Sequence, residues 1–429
     1  MNTAIQWLLA QRMFLALIGV CAVFSLLTIR RSDPEGAFAG EQVAREFLAG
    51  RKVIDQRVII ASTNSPADSD FALRATEILE PEGVKITFAH TPSEAREQIE
   101  APGQLTLAAI LASSQAANWT VWERTNAQVL VPVGSSWPVF LQRANLVNIA
   151  SQITVIAIIA AGMTLVIMTG GIDLSVGSLV ALAAVICTRI IRDYCGGISA
   201  TGPQMAFAGL AAVLCGALVG WFSGAIITWF TVPPFLATLG TMLIASGLAF
   251  QVSAGQSVYQ VPDNFTWLGR EAIGGIPVAV LLAVAIYLGV AWMVNRTILG
   301  RYILATGGNP VAAHLAGVPT KKVLRLVYAL SGAFAALGGV ILASQLKSGA
   351  PTYGQMYELY VIAAVVVGGT SLSGGEGSVM GTLVGALLIA VIQNGMNLLG
   401  MESYTQKIIL GLVLLGAVLM DRIRSRERT

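Results

Sequence analysis

The amino-acid sequence predicts an all-α polytopic membrane protein of about ten transmembrane helices with a small α/β extracytoplasmic insert. Three observations predict it. The 429-residue chain is 55% hydrophobic and only 11% charged, with a mean hydropathy of +0.72, far from ordinary soluble usage. Its apolar runs approach the roughly 20 residues that a helix needs to cross a bilayer core. Its charge is also concentrated: of 26 basic and 23 acidic residues, 24 lie between Arg30 and Arg124. The domains follow as a first transmembrane helix over 1–29, a soluble insert over 30–139 and a transmembrane domain over 140–429.

Ten spans are read at 7–29, 148–168, 175–191, 205–230, 235–252, 276–293, 323–346, 357–367, 378–392 and 408–420, with an amphipathic stretch at 257–273. The eighth is short for a full crossing and is expected to be tilted or discontinuous. Basic residues set the orientation. Arg296, Arg301, Lys321, Lys322 and Arg325 cluster between spans six and seven, and Arg422, Arg424, Arg426 and Arg428 follow span ten. With an even number of spans, these loops and the N-terminus are cytoplasmic. Arg30 and Arg31 then fall outside, beside an insert long enough to escape the rule. The first apolar run lacks a small-x-small cleavage site and exceeds a usual signal core, so an uncleaved span is expected. Among the cysteines only Cys195 is expected on the solvent side, and no structural disulfide is predicted.

The insert alternates strand and helix signals. Residues 57–62, 84–89, 105–111 and 127–133 read as strands, and 70–79 and 92–99 as helices. Such alternation predicts a parallel sheet. No phosphate loop, metal cluster or nucleophile elbow occurs there.

Two glycine-rich octapeptides carry the functional signal. Gly170-Gly171-Ile172-Asp173-Leu174-Ser175-Val176-Gly177 and Gly368-Gly369-Thr370-Ser371-Leu372-Ser373-Gly374-Gly375 share the frame G-G-x-x-L-S-x-G. Each follows one apolar run and precedes another, the pattern of an internally duplicated transporter. Glycine releases the backbone from a helix, and Asp173 or Ser175 can cap the helix that restarts. The plainer reading is a pair of tight turns between spans. Leu372-Ser373-Gly374-Gly375-Glu376 also approximates an ATPase signature, but the chain contains no Gly-Lys pair and therefore no phosphate cradle. The chain is not its own motor.

These octapeptides, together with Ala144-Asn145-Leu146-Val147-Asn148-Ile149 and Asn394-Gly395-Met396-Asn397-Leu398-Leu399-Gly400, resemble the ribose-type monosaccharide permeases of bacterial ABC importers. The likeness covers the first span and everything from about Phe140 onward; the insert interrupts the family's short link. The resemblance implies a multi-pass inner-membrane permease working beside a second permease subunit, identical or different, in membrane lipid. It also implies a cytoplasmic ABC ATPase holding ATP and Mg, an extracytoplasmic sugar-binding protein, and no cofactor or nucleic acid on this chain.

By the same resemblance, Gly307-Gly308 leads into an ATPase coupling loop, Asn309-Pro310-Val311-Ala312-Ala313-His314-Leu315-Ala316-Gly317. Pro310 suits a first helical turn and Gly317 a helix end. The family often has Glu where Val311 stands and an acidic residue where Tyr360 stands. Polar residues in spans are costly and mark pathways, so Glu358, Gln393, Asn394 and Asn397 are the translocation candidates, all toward the outer mouth. The competing role for them is bonding between helices. The reading is an importer permease for a monosaccharide or similar small polar solute, with no catalytic and no metal residues. The alternatives are a permease for another small solute, such as a branched-chain amino acid, or a membrane-anchored sensor built around the insert.

Overall fold

The computed structural model describes residues 3–32, 34–49, 56–101 and 106–426. Its α-helices in chain order are α1 (Thr3–Leu27), α2 (Gly36–Ala49), α3 (Pro66–Leu79), α4 (Pro92–Glu100), α5 (Arg143–Met168), α6 (Val176–Tyr194), α7 (Gly202–Phe230) and α8 (Pro234–Ser253). Then follow α9 (Trp267–Arg270), α10 (Val278–Arg296), α11 (Ile298–Gly308), α12 (Pro310–Leu315), α13 (Thr320–Leu346), α14 (Tyr357–Val367), α15 (Val379–Leu398) and α16 (Ser403–Arg426). The chain divides into two compact units, one of residues 1–28 with 140–429, the other of residues 29–139.

In the larger unit, α5, α7, α8, α10, α13 and α15 are long and apolar enough to cross a membrane, and shorter apolar helices lie at Met13–Leu27, Tyr357–Val367 and Ser403–Gly416. The chain is thus a polytopic membrane protein. Helix α6, expected as a span, is not among the six; its last turns carry Arg189, Arg192 and Asp193, with Arg189 paired to Asp193 at 2.9 Å.

Helix α5 packs against α13, α15, α10 and α14, and α13 packs in turn against α7 and α6. Apolar side chains give no drive for association inside a membrane, so small residues and hydrogen bonds set the contacts. Small residues bring α7 and α13 together: a Cβ on Gly220 would strike the Tyr328 carbonyl, and one on Gly332 the Gly216 carbonyl. Buried hydroxyls of Thr164 on α5 and Thr382 on α15 bond at 2.8 Å. The Tyr287 hydroxyl on α10 donates to the Ala157 carbonyl at 2.9 Å. At the end of α1, Thr28 Oγ1 accepts from the Phe140 amide at 3.2 Å, and Phe24 stacks on Phe140.

The amphipathic stretch at 257–273 forms several short elements. It holds a 3-10 turn, Asp263–Thr266, and the four-residue α9, because tertiary bonds claim its backbone: Val258 bridges Gly349, and the Gly269 amide donates to Ser344 Oγ. Cys195 is buried, not on the solvent side; it packs with Ala200, Ala208 and Phe265.

The smaller unit contains β1 (Ile29–Ser32), β2 (Gln56–Ala61), β3 (Lys85–Ala89), β4 (Thr106–Ala112), β5 (Gln128–Leu130) and β6 (Ser135–Pro138). Its sheet has the order β3-β2-β4-β5 with every pairing parallel. β1 and β6 pair antiparallel at the two ends of the unit. Val58, Ile60 and Leu111 form one core with Val43 and Phe47 of α2 and Phe71 of α3; Ile59, Ala61 and Ile110 form another with Ala95 of α4. The alternation along β2 feeds both faces, as a doubly covered sheet requires. Helix α2, which packs on α3, went unread in the sequence; its Gly40 meets the Phe71 carbonyl.

Candidate functional site

Both glycine octapeptides begin by closing a helix in the same way. After α5, the Gly170 amide donates to Ile167 O (2.9 Å) and the Gly171 amide to Val166 O (3.1 Å), with Gly170 at φ +78°. After α14, the Gly369 amide donates to Val366 O (2.9 Å) and the Thr370 amide to Val365 O (3.2 Å), with Gly369 at φ +82°. Each is a Schellman cap, which needs one left-handed residue just past the helix. Glycine fills that position because it has no Cβ penalty there. The structural partner of Gly170 is therefore Gly369, one residue off the frame that pairs it with Gly368.

A third cap of this kind closes α12. The Gly317 amide donates to His314 O and the Val318 amide to Ala313 O, both at 3.0 Å, with Gly317 at φ +86°. At the other end, Asn309 Oδ1 accepts from the amides of Val311 (3.1 Å) and Ala312 (2.9 Å), an N-cap ahead of Pro310. Six residues thus form a sharply bounded helix. Ala313 faces inward, whereas Val311 is 69% and Leu315 82% exposed; Ala312, His314 and Ala316 are exposed as well.

The turns and this segment meet. The Gly375 amide donates to the Met168 carbonyl at 2.9 Å, tying the second octapeptide to the end of α5. A Cβ on Gly307 would overlap that same carbonyl and the Gly375 amide; one on Gly374 would meet Gly170 at 2.8–2.9 Å and the Gly307 carbonyl at 2.9 Å. Gly375 lies equally close to Gly308. Beside this junction is a cavity of about 300 Å³ lined by Thr169, Gly170, Gly171, Thr306, Gly307, Pro310 and Ser373, with Ile227, Pro234 and Leu324 closing it. Sequence reasoning named both turns and the loop but not their convergence. The recurring Gly-Gly doublet at 170–171, 307–308 and 374–375 was the available signal.

Asp173 occupies the first turn and is fully buried. Its Oδ1 accepts from the Ser175 amide (3.0 Å) and Ser175 Oγ (2.6 Å), and its Oδ2 from Ser331 Oγ of α13 (2.8 Å). Ser175 occupies the N-cap position of α6 but makes no capping bond; its hydroxyl is spent on Asp173. Thr238 of α8 bonds the Ile172 carbonyl and the Leu174 amide. Gly177 packs against the Glu358 carboxylate and the Gly354 carbonyl. In the second octapeptide, Ser371 Oγ accepts from the Ser373 amide at 3.3 Å, and the cap of α15 is Ser378, whose Oγ accepts from the Gly381 amide at 3.0 Å.

The four polar residues picked for a pathway are dispersed. Asn394 is buried and exchanges two amide bonds with Asn145 of α5, at 3.0 and 2.9 Å. Asn397 accepts from Gln406 of α16 at 2.8 Å. Gln393 is half-buried on the same helix, and half-buried Glu358 lies on α14 against Gly177. No hydrogen bond among the described residues joins Glu358 to the three amides. Asn394 and Asn397 thus each bond a neighbouring helix.

A family model described as the permease component of the branched-chain amino acid transport system matches residues 145–418. The chain belongs to this permease family. Among its relatives, the ribose import permease protein of Escherichia coli (strain K12) is 43% identical over 298 residues, spanning 68% of this chain and 90% of that one. The ribose import permease protein of Bacillus subtilis (strain 168) is 41% identical, spanning 67% and 88%. The galactose/methyl galactoside import permease protein of Escherichia coli (strain K12) is 38% identical, spanning 67% and 89%. No solved structure matches the chain. The permease is accordingly a multi-pass protein of the inner membrane, of the monosaccharide ABC type. The family match begins at residue 145, beyond the insert.

Proposed function

We propose that this permease imports a monosaccharide by alternating access, driven by an ABC ATPase that docks on α12. The observation that carries the reading is the position of that helix. It presents Val311 and Leu315 outward and continues, through Gly307 and Gly308, into the junction of both glycine turns. A push on α12 would reach the ends of α5 and α14 through backbone contacts, which transmit displacement with little slack. ATP and Mg would reside on the ATPase, and this chain would contribute the moving path. Ten crossings, with α12 cytoplasmic and residues 30–139 extracytoplasmic, fit the basic loops. A sugar-binding protein would deliver substrate from that outer side, and a second permease subunit would complete the channel. Branched-chain amino acid import is the second reading, because the family model carries that description.

Reconstitution in proteoliposomes with the cognate ATPase and binding protein tests both. ATP-dependent uptake of ribose, galactose or allose, with none of leucine, is the expected result. Leucine uptake without sugar uptake would replace the sugar reading with its rival. The chain purified alone should hydrolyse no ATP.

A further inference from the structure

Two anomalies lie side by side at the first glycine turn. Asp173 is wholly buried, and no lysine, arginine or histidine pairs with it among the described residues. Isolated burial of an ionised carboxylate is prohibitively costly, so a carboxyl group in such a place is paired, protonated or bound to a cation. Its three hydrogen bonds come from neutral groups, the Ser175 amide and the hydroxyls of Ser175 and Ser331. The second anomaly is the Tyr328 hydroxyl, which is buried and has no hydrogen-bond partner among the described residues. It rests against Gly171, two residues before Asp173. Tyr328 and Ser331 are three residues apart on α13 and so share a face. The unpaired hydroxyl and the carboxylate therefore both lie where the first turn meets α13.

We propose that Asp173, Ser175, Ser331 and Tyr328 bind a single monovalent cation, at a site distinct from the coupling helix. One ion neutralises Asp173 and engages an oxygen lone pair of the Tyr328 hydroxyl. Each serine hydroxyl keeps an acceptor lone pair while donating to the carboxylate, so both can ligate without giving up their present bonds. The set is all oxygen, the ligand type of hard cations. One carboxylate balances one charge; a divalent ion would leave excess charge in the interior. The serine oxygens lie 2.6 and 2.8 Å from the carboxylate, so three of the four ligands are already gathered. Non-helical backbone between two membrane helices is the setting in which transporters hold such ions. The cavity lined by Thr169, Gly170 and Gly171 reaches the same turn. A bound ion would fasten the first turn to α13 beside the junction.

Thermal unfolding of the purified full chain, at constant ionic strength in sodium, potassium or choline chloride, tests the site. Ligand bound only by the folded state raises the melting temperature in a saturable way. The expected result is a saturable rise with sodium and none with choline. Asp173→Asn should abolish the rise, and Tyr328→Phe should lower the apparent sodium affinity by about tenfold or more, equivalent to about 1.4 kcal/mol. Identical melting in all three salts would mean that a water or a proton occupies the volume, and the cation site would be wrong. Should Asp173→Asn fail to fold, Tyr328→Phe still decides, since it deletes a single oxygen: an undiminished sodium response in that variant overturns the assignment.

Discussion

In the first glycine turn Gly170 takes the left-handed cap and Gly171 follows it; in the second, Gly368 ends the helix and Gly369 takes the cap. Three residues later the two turns are back in the sequence frame: Asp173 accepts the amide of Ser175, and Ser371 accepts the amide of Ser373. Then they part again. α6 starts at Val176, directly after the octapeptide core, whereas α15 starts at Val379, behind its own Ser378 cap. The difference teaches that each local motif obeys its own geometry. A helix cap selects whichever residue can adopt positive φ, while a side-chain turn depends on a two-residue spacing. A shared sequence frame need not keep them in step. The extra length of the second turn is what brings Gly374 and Gly375 onto Gly170, Gly307 and Gly308.

The strongest test of that contact is Gly307→Ala set against Gly308→Ala. A Cβ at Gly307 would meet the Met168 carbonyl and the Gly375 amide, whereas at Gly308 the nearest atom is 3.9 Å away. We expect Gly307→Ala to cost about 2 kcal/mol or more through overpacking and to reduce reconstituted uptake severely. Gly308→Ala should stay within about 0.5 kcal/mol of wild type. Equal melting temperatures and equal uptake for the two would dissolve the junction.

The equivalence of Gly170 and Gly369 is sharpened by paired substitutions. Alanine at either should destabilise by about 1–2 kcal/mol, the left-handed cost for an L-residue. Asparagine should recover part of that loss at both sites, because it tolerates the geometry. At Gly368, which has φ −60°, asparagine should be no better than alanine. Recovery at Gly368 instead of Gly369, read by thermal melting, would restore the sequence frame.

The smallest effect separates the helix starts. Ser378→Ala should cost about 1 kcal/mol, as loss of an N-cap does, and Ser371→Ala less than about 0.5 kcal/mol. A reversed order in melting temperature would move the start of α15 back to the octapeptide.

Much of the molecule was legible from spacing and composition. The apolar runs at 205–230 and 235–252 stand where α7 and α8 lie, and Asn309, Pro310 and Gly317 bound a short helix by rules that act within four residues. The expected hinge residues do sit at helix ends. Other features were not local and could not be read. The partner of Asn394 is Asn145, 249 positions away, which no local spacing could indicate. In the amphipathic stretch at 257–273, Ser344 and Gly349 claim the backbone from far along the chain.

The sequence by itself determined the membrane class, the family likeness, the caps and the turns, because hydropathy and backbone preference depend on neighbours along the chain. Only the tertiary structure decided that Gly170, Gly307 and Gly374 share one contact, that Ser331 reaches Asp173, and that the Tyr328 hydroxyl finds no hydrogen-bond partner among the described residues. Those facts depend on which helices lie side by side. Helices approach at chosen faces because small residues permit it and buried polar groups require it, and neither condition is visible until both partners are in place.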